Sequence, residues 1–128
     1  MTRLRSTKPH VKRRRKSKYN NKKTIVNGIT FDSKLEAKRY HELLLMRKAG
    51  AISDLELQKR FILQEGYTNG DGRKIRPIHY ICDFYYYDCQ SKIMVVEDVK
   101  GQKTQVYLLK KKMFEKAFSP LTIKELFH

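Results

Sequence analysis

Two β-rich runs, Ile78–Tyr87 and Ile93–Lys100, constrain the fold of this chain most, because each sets acids inside an apolar and aromatic stretch. β-Branched and aromatic residues suit a pleated, half-buried surface. The polar segment Asp88–Lys92 between the runs reads as the turn of a hairpin. The second run ends Val95-Val96-Glu97-Asp98-Val99-Lys100-Gly101, with three of the four residues before the glycine charged. Successive strand residues point to opposite faces, so Asp98 and Lys100 project together and Glu97 points away from them.

The hairpin register decides which acids meet. A four-residue loop, Cys89–Lys92, pairs Asp88 with Ile93 and, counting back, Asp83 with Asp98. Directly opposed residues share a face at roughly 5 Å between Cβ atoms. A three-residue loop opposes Asp83 to Glu97 instead, and loops of either length are common. The first register is preferred because it gathers Asp83, Asp98 and Lys100. Two carboxylates so close repel unless a cation lies between them. Mg²⁺ and similar hard ions bind one or two carboxylates together with water and substrate phosphate. In phosphodiester hydrolysis such an ion activates water and stabilises the leaving oxygen. Asp83 and Asp98 suit the metal role, Lys100 the water-orienting and phosphate role, and the backbone carbonyl of Val99 offers a further oxygen.

Around this hairpin the chain reads as one domain of 128 residues. Thr24–Phe31 is a short hairpin turning at Asn27-Gly28, where positive φ is tolerated. A helix starts at Asp32 or Ser33 and ends at about Ala49, before Gly50, with Leu35, Tyr40, Leu43, Leu44 and Ala49 on its apolar side. Residues 53–64 read as extended, and Asn69–Gly72 as a turn or mobile loop. A second helix fits Thr104–Phe118, with Val106, Leu109, Met113 and Ala117 on its apolar side, and Pro120 closes it. The expected order is β-hairpin, α, β, β, β, α: an α/β or α+β sheet flanked by helices.

Charge points to a polyanion. The chain carries 29 Lys and Arg against 13 Asp and Glu, a net +16. Residues 1–23 hold eleven of the basic residues and no acid, leaving 18 basic and 13 acidic residues, or +5, on residues 24–128. A basic arm that is disordered when free, on a mildly basic body, fits nucleic acid, although a merely solvated tail or a nonspecific RNA contact has the same composition. Lys12–Lys16 also reads as a nuclear localisation signal in a eukaryote. No run reaches the ~18 apolar residues of a membrane span, and no apolar core follows the basic N-terminus as in a secretory signal. Cys82 and Cys89 would lie roughly 20 Å apart along a strand, too far for a disulfide, which suits reduced thiols in the cytoplasm. The four histidines show no zinc-ligand spacing.

Glu36 is the candidate third acid. Ser33-x-x-Glu36 is a capping box, which by itself accounts for the residue. Glu36 also shares a helix side with Tyr40, Leu43 and Leu44, where a carboxylate is better explained as a ligand than as solvated. Asp98 and Lys100 have an ordinary explanation too, as a same-face ion pair. The tyrosines at 80, 85, 86 and 87 read as packing before base stacking, and His79 as a plain strand residue. Gln58 reads either as a hydrogen-bonder of phosphate or water, or as a cap on the sheet edge. Lys110, Lys111 and Lys112 read as a solvated face or as phosphate contacts.

The ordered set Lys18-Tyr19-Asn20, Asn27-Gly28-Ile29-x-Phe31-Asp32-Ser33-Lys34-Leu35-Glu36-Ala37, Leu57-Gln58, Tyr80-x-x-Asp83-Phe84, Glu97-Asp98-Val99-Lys100-Gly101 and Lys110-Lys111-Lys112-x-Phe114 resembles the PD-(D/E)XK nuclease superfamily. More closely, it is similar to a small phage and prophage endonuclease family long catalogued as a domain of unknown function. The resemblance spans roughly residues 18–118 and implies an α-β-β-β-α core. It implies Glu36, Asp83 and Asp98 as ligands of Mg²⁺ or Mn²⁺, Lys100 as the catalytic lysine, and Gln58 as an auxiliary residue. Glu97 also matches the acid of the acid-x-Lys pattern in type, but the spacing selects Asp98.

The resulting expectation is a metal-dependent DNA endonuclease of phage origin, with residues 1–23 as a basic arm and 24–128 as the nuclease domain. Arg13, Arg14, Arg15 and Lys16 of the arm, with Lys110–Lys112, would grip DNA. Branched DNA is the favoured substrate, by similarity to Holliday-junction resolvases, and cutting a junction would require a homodimer. The alternatives are a nucleic-acid-binding protein without catalysis, and a nickase or packaging-associated nuclease acting on linear duplex.

Overall fold

A computed structural model describes residues 23–100 and 102–127. Arg13–Lys16 and nearly all of the basic arm therefore lie outside the described residues. Strands β1 (Thr24–Val26) and β2 (Ile29–Phe31) pair antiparallel across Asn27 and Gly28, whose φ angles are 52° and 79°. Helix α1 (Lys34–Lys48) begins where the Ser33 hydroxyl accepts from the Glu36 N–H at 3.1 Å, and Gly50 follows it at φ 83°. It buries Ala37, Tyr40 and Leu43, with Leu35 and Leu44 packed beside them, while Ala49 is exposed.

Strands β3 (Ile52–Leu57) and β4 (Arg60–Gln64) come next, followed by the short ribbon β5 (Tyr67–Thr68) and β6 (Lys74–Ile75). Its tip is a closed turn in which the Asn69 side chain accepts from the N–H groups of Asp71 and Arg73. Then come β7 (Ile78–Ile81), β8 (Phe84–Asp88), β9 (Ile93–Lys100), α2 (Gln105–Ala117) and β10 (Ile123–Phe127). A four-stranded sheet runs β10-β9-β8-β3, with β10 parallel to β9 and the other pairs antiparallel. The fold is thus mixed α/β, with a mixed-orientation sheet.

Strand β9 lies between two cores. Val95 and Val99 face Phe31, Tyr40, Phe84 and the rest of the α1 side, whereas Val96 faces Phe61, Tyr80, Phe114 and Ile123 on the α2 side. A strand covered on both faces is expected to be apolar throughout, yet Glu97 is 0% exposed and Asp98 3%. Glu97 points to α1, where Arg39 Nε and Nη2 donate to its two carboxylate oxygens at 2.8 and 2.7 Å and the Tyr86 hydroxyl donates as well.

Four expectations need correction. The run Ile78–Tyr87 is two strands, parted at Cys82-Asp83, and 53–64 is likewise parted at Gln58-Lys59. The final residues, to which the sequence pattern assigns no element, form β10. Helix α2 buries Tyr107 and Phe114 and leaves Val106 61% and Leu109 60% exposed, so the stripe of Val106, Leu109, Met113 and Ala117 is not its core side. The reason is the surface it meets. Phe61 stands with Phe114 and Phe118 at centroid separations of 4.9 and 5.2 Å, in edge-on contacts that aromatic side chains can match and short aliphatic ones cannot. Among the described residues no helix is long and apolar enough to cross a membrane. Both cysteines are free, Cys82 buried and Cys89 exposed.

Removing one partner of a buried ion pair strands the other charge. Arg39→Met is expected to lower stability by about 3 kcal/mol in urea unfolding. The double variant Arg39→Met with Glu97→Leu should lose less than the single one.

Candidate functional site

The site forms where the sheet ladder is interrupted. Strands β3 and β8 pair up to Leu57 and Phe84, and β4 and β7 resume at Arg60 and Ile81, so two antiparallel ribbons share one register across a gap. In the gap the Gln58 N–H donates to the Asp83 carbonyl and the Cys82 N–H to the Lys59 carbonyl, both at 3.1 Å. Gln58 sits at φ 55°, a left-handed conformation uncommon for a residue with a side chain. From there its amide donates to Asp83 Oδ1 at 3.3 Å. The other oxygen, Oδ2, accepts from the Val99 N–H at 2.7 Å. The Asp83 side chain thus takes the place of a strand partner for β9 just past the last β8–β9 pair, Phe84 with Glu97. The sequence reading assigned a role to the Val99 carbonyl; the contact seen with Asp83 is through the N–H.

The observed register pairs Asp88 with Ile93, the four-residue loop, and continuing it sets Asp83 opposite Asp98. Asp98 accepts from the Tyr80 hydroxyl at Oδ2 and meets Lys100 Nζ at Oδ1, 3.2 Å away. Burial and the Asp98 charge hold the Tyr80 phenol well above its usual range, so it stays a proton donor. Lys100 Nζ also lies 3.9 Å from the centroid of the Tyr107 ring, a cation–π contact. Tyr107 is itself fixed by donating from its hydroxyl to Glu125 Oε2 at 2.6 Å, and Glu125 pairs with Lys103 at 3.1 Å. The lysine is held from two sides.

Glu36 differs from the other acids. Its backbone N–H makes the cap bond to Ser33, but its carboxylate makes no hydrogen bond or ion pair among the described residues, so the reciprocal half of the capping box is missing. The side chain is half-buried, and its pKa is pushed up to about 7 by burial and then by the charges of Asp83, Asp32 and Asp98, with Lys100 opposing. Asp83 is pushed up to about 6, first by burial, then by Asp98, against the pull of the Val99 N–H, Lys100 and Gln58. Glu36 on α1, Asp83 in the break before β8 and Asp98 on β9 therefore feel one another, with Lys100 among them.

Among the described residues no three His, Cys, Asp or Glu side chains stand together as a ready metal cage. The donor chemistry nevertheless fits a hard divalent ion, which binds through one or two carboxylates and completes its shell with water. Glu36 is a half-buried carboxylate with no hydrogen-bond or ion-pair partner among the described residues, and such groups are the ones a cation relieves.

Of the other sequence candidates, Lys110 lines a cleft beside Lys100, Lys111 pairs with Glu115 at 3.2 Å, and Lys112 is exposed. Tyr80, which touches Asp98, and Tyr107, which lies under Lys100, have no such role in the sequence reading, nor does Arg39, which touches Glu97 next to Asp98. Only Tyr80 left a signal, since a buried tyrosine needs a partner for its hydroxyl and a neighbouring strand carried an acid.

A family model described as "Protein of unknown function (DUF1064)" matches residues 16–126, which include every element of the site. No curated protein and no solved structure matches the chain significantly.

The raised carboxylates set a pH dependence. Each binds its proton more tightly folded than unfolded, so its contribution to stability is full below pH ~4 and is lost as pH rises through about 6 to 7. With chelator present, the thermal midpoint should fall between pH 5 and pH 7.5, and Glu36→Gln should flatten that fall and raise the midpoint at pH 7.5. Equal pH slopes for the two proteins would remove Glu36 from the coupled group.

Proposed function

Because the chain belongs to this family, whose description names no activity, its function has to be argued from the site, and we propose a metal-dependent DNA endonuclease. The observation that carries the reading is the half-buried Glu36 carboxylate, without a hydrogen-bond or ion-pair partner among the described residues and electrostatically coupled to Asp83 and Asp98 beside a lysine held in place. An acid cluster of this kind opposes folding in the absence of a counter-ion, which is a cost that catalytic sites bear more often than structural ones. The resemblance to PD-(D/E)XK nucleases points the same way, with an acid from a helix, an acid before a strand and acid-x-Lys on the next strand.

In this proposal Glu36, Asp83 and Asp98 would hold Mg²⁺ or Mn²⁺. The bound ion would supply an acidified water and a positive charge for the phosphoryl oxygens. Lys100 Nζ, kept beside Asp98 and over the Tyr107 ring, donates to a non-bridging phosphate oxygen as negative charge develops there. Gln58 orients Asp83, and Tyr80 orients Asp98 while leaving Oδ1 to Lys100. Water adds to phosphorus as its proton passes to solvent, and the bond to the leaving sugar oxygen breaks as that oxygen takes up a proton from solvent. The favoured substrate is branched DNA, an extension that rests on the resemblance; paired incisions across a junction would come from two copies of the chain.

A second reading has one observation behind it. Asp83 and Asp98 already have protein partners, which suits a nucleic-acid-binding protein that does not cut.

Purified protein, a synthetic four-way junction and a linear duplex separate these readings. Wild type with Mg²⁺ should cut, and chelator should stop it. Asp98→Asn should lower the rate by about 10²-fold or more, the scale of losing a principal charge in such a site. Equal cutting by both proteins, or none by wild type, refutes the nuclease, whereas cutting confined to linear duplex refutes only the junction preference. Deleting residues 1–17 should weaken DNA binding and flatten its salt dependence, since fewer phosphates are neutralised; an unchanged salt slope would remove the arm from the interface.

A further inference from the structure

Beside Lys100, on the α2 side of the sheet, lies an open cleft of about 290 Å³ whose lining includes His79, Ile81, Lys100, Thr104, Val106 and Lys110. This volume is at the small end of ligand sites. It suits one nucleotide rather than a length of duplex. Tyr80 and Tyr107 complete the lining, which contains two lysines and no carboxylate residue.

Lys100 is already paired with Asp98, but the other basic residues of the lining have no counter-charge among the described residues. Lys111 pairs with Glu115 and Lys103 with Glu125, but Lys110, though half-buried, has no ion pair among the described residues. The half-buried His79 imidazole likewise has no side-chain partner among them. Half-buried cations and ring N–H groups without protein acceptors are completed by an external acceptor. The rim has the opposite character: Ile81 is 39% and Val106 61% exposed, and both line the same opening. A phosphate alone would leave this apolar rim uncovered, while a nucleoside alone would leave Lys110 unanswered.

We infer that this cleft is a nucleotide subsite: it takes one unit of a DNA strand, with phosphate toward Lys110 and Lys100 and sugar or base against Ile81 and Val106. The inference rests on the nucleic-acid reading of the site and extends it. Lys100 then faces the acids on one side and the cleft on the other, so a strand seated in the cleft has its neighbouring phosphate delivered to Asp98.

Thymidine 5′-monophosphate is the probe, titrated into full-length protein with chelator and followed by amide NMR. Shifts should concentrate at Ile81, Thr104, Val106 and Lys110. Inorganic phosphate should bind more weakly, and thymidine should produce no comparable shifts. Lys110→Gln should lower affinity about fivefold, the loss expected of one charge-assisted contact, while Lys116→Gln on the same helix should not. On cleavable DNA the same Lys110→Gln change should raise KM more than it lowers kcat. Shifts scattered over the surface, or equal effects of the two lysine variants, overturn the subsite. If wild type cuts DNA but the lysine variants behave alike, the subsite falls and the nuclease stands. If wild type cuts no DNA but binds the nucleotide in a Lys110-dependent way, the nuclease falls and the subsite stands.

Discussion

A strand covered on both faces cannot carry two consecutive carboxylates unless each finds its own partner, and this constraint on β9 organises much of the domain. Glu97 and Asp98 point to opposite sides of the sheet, so one partner set cannot serve both. Arg39 and Tyr86 answer Glu97 from the α1 side, and Tyr80 and Lys100 answer Asp98 on the other. The Arg39–Glu97 pair also ties helix to strand: Arg39 lies one turn beyond Glu36, and Glu97 lies next to Asp98. The ion pair that neutralises one carboxylate therefore holds the elements that carry two of the site acids. Such a pair is weak evidence for stability, because desolvation offsets much of its attraction. Its consequence here is registration of one element against another.

The acids themselves divide by how completely the protein satisfies them. Asp98 has a hydroxyl and an ammonium, Asp83 an amide and a backbone N–H, and Glu36 nothing among the described residues. This gradient gives the site a polarity. Asp98 on β9 and Asp83 in the break before β8 are held by protein groups, while the helix-borne acid is not. Burial and mutual repulsion raise the pKa of Glu36 toward neutrality, and a cation would reverse that shift.

What was legible in the sequence was mostly what local chemistry decides. Asn27-Gly28, Ser33 and Gly50 marked the first hairpin and both ends of α1, and the four-residue loop set the register that aligns Asp83 with Asp98. The breaks at Gln58 and at Cys82-Asp83 left no trace, because neither a glutamine in a left-handed conformation nor an acid replacing a strand partner has a compositional signature. Strand β10 was missed because its pairing with β9 is parallel and reaches across a whole helix, beyond any local pattern. Helix α2 offered two apolar stripes of similar spacing, and only the aromatic surface of Phe61 and Tyr80 decides between them. Arg39 was invisible for a simpler reason: a helix rich in basic residues gives no sign of which one is buried.

Asp83 uses one carboxylate oxygen as a backbone would, accepting from the Val99 N–H where the neighbouring strand has ended. A side chain in that position is bound by two separate demands. Replacing it with a residue that suits the sheet would forfeit its charge, and replacing it with another acid would move the oxygen that Val99 needs. Glutamate, one methylene longer, is the substitution chemistry would favour and geometry would refuse. Substitution at position 83 is thus constrained in both directions, and more narrowly than at Glu36, whose carboxylate has no hydrogen-bond or ion-pair partner among the described residues.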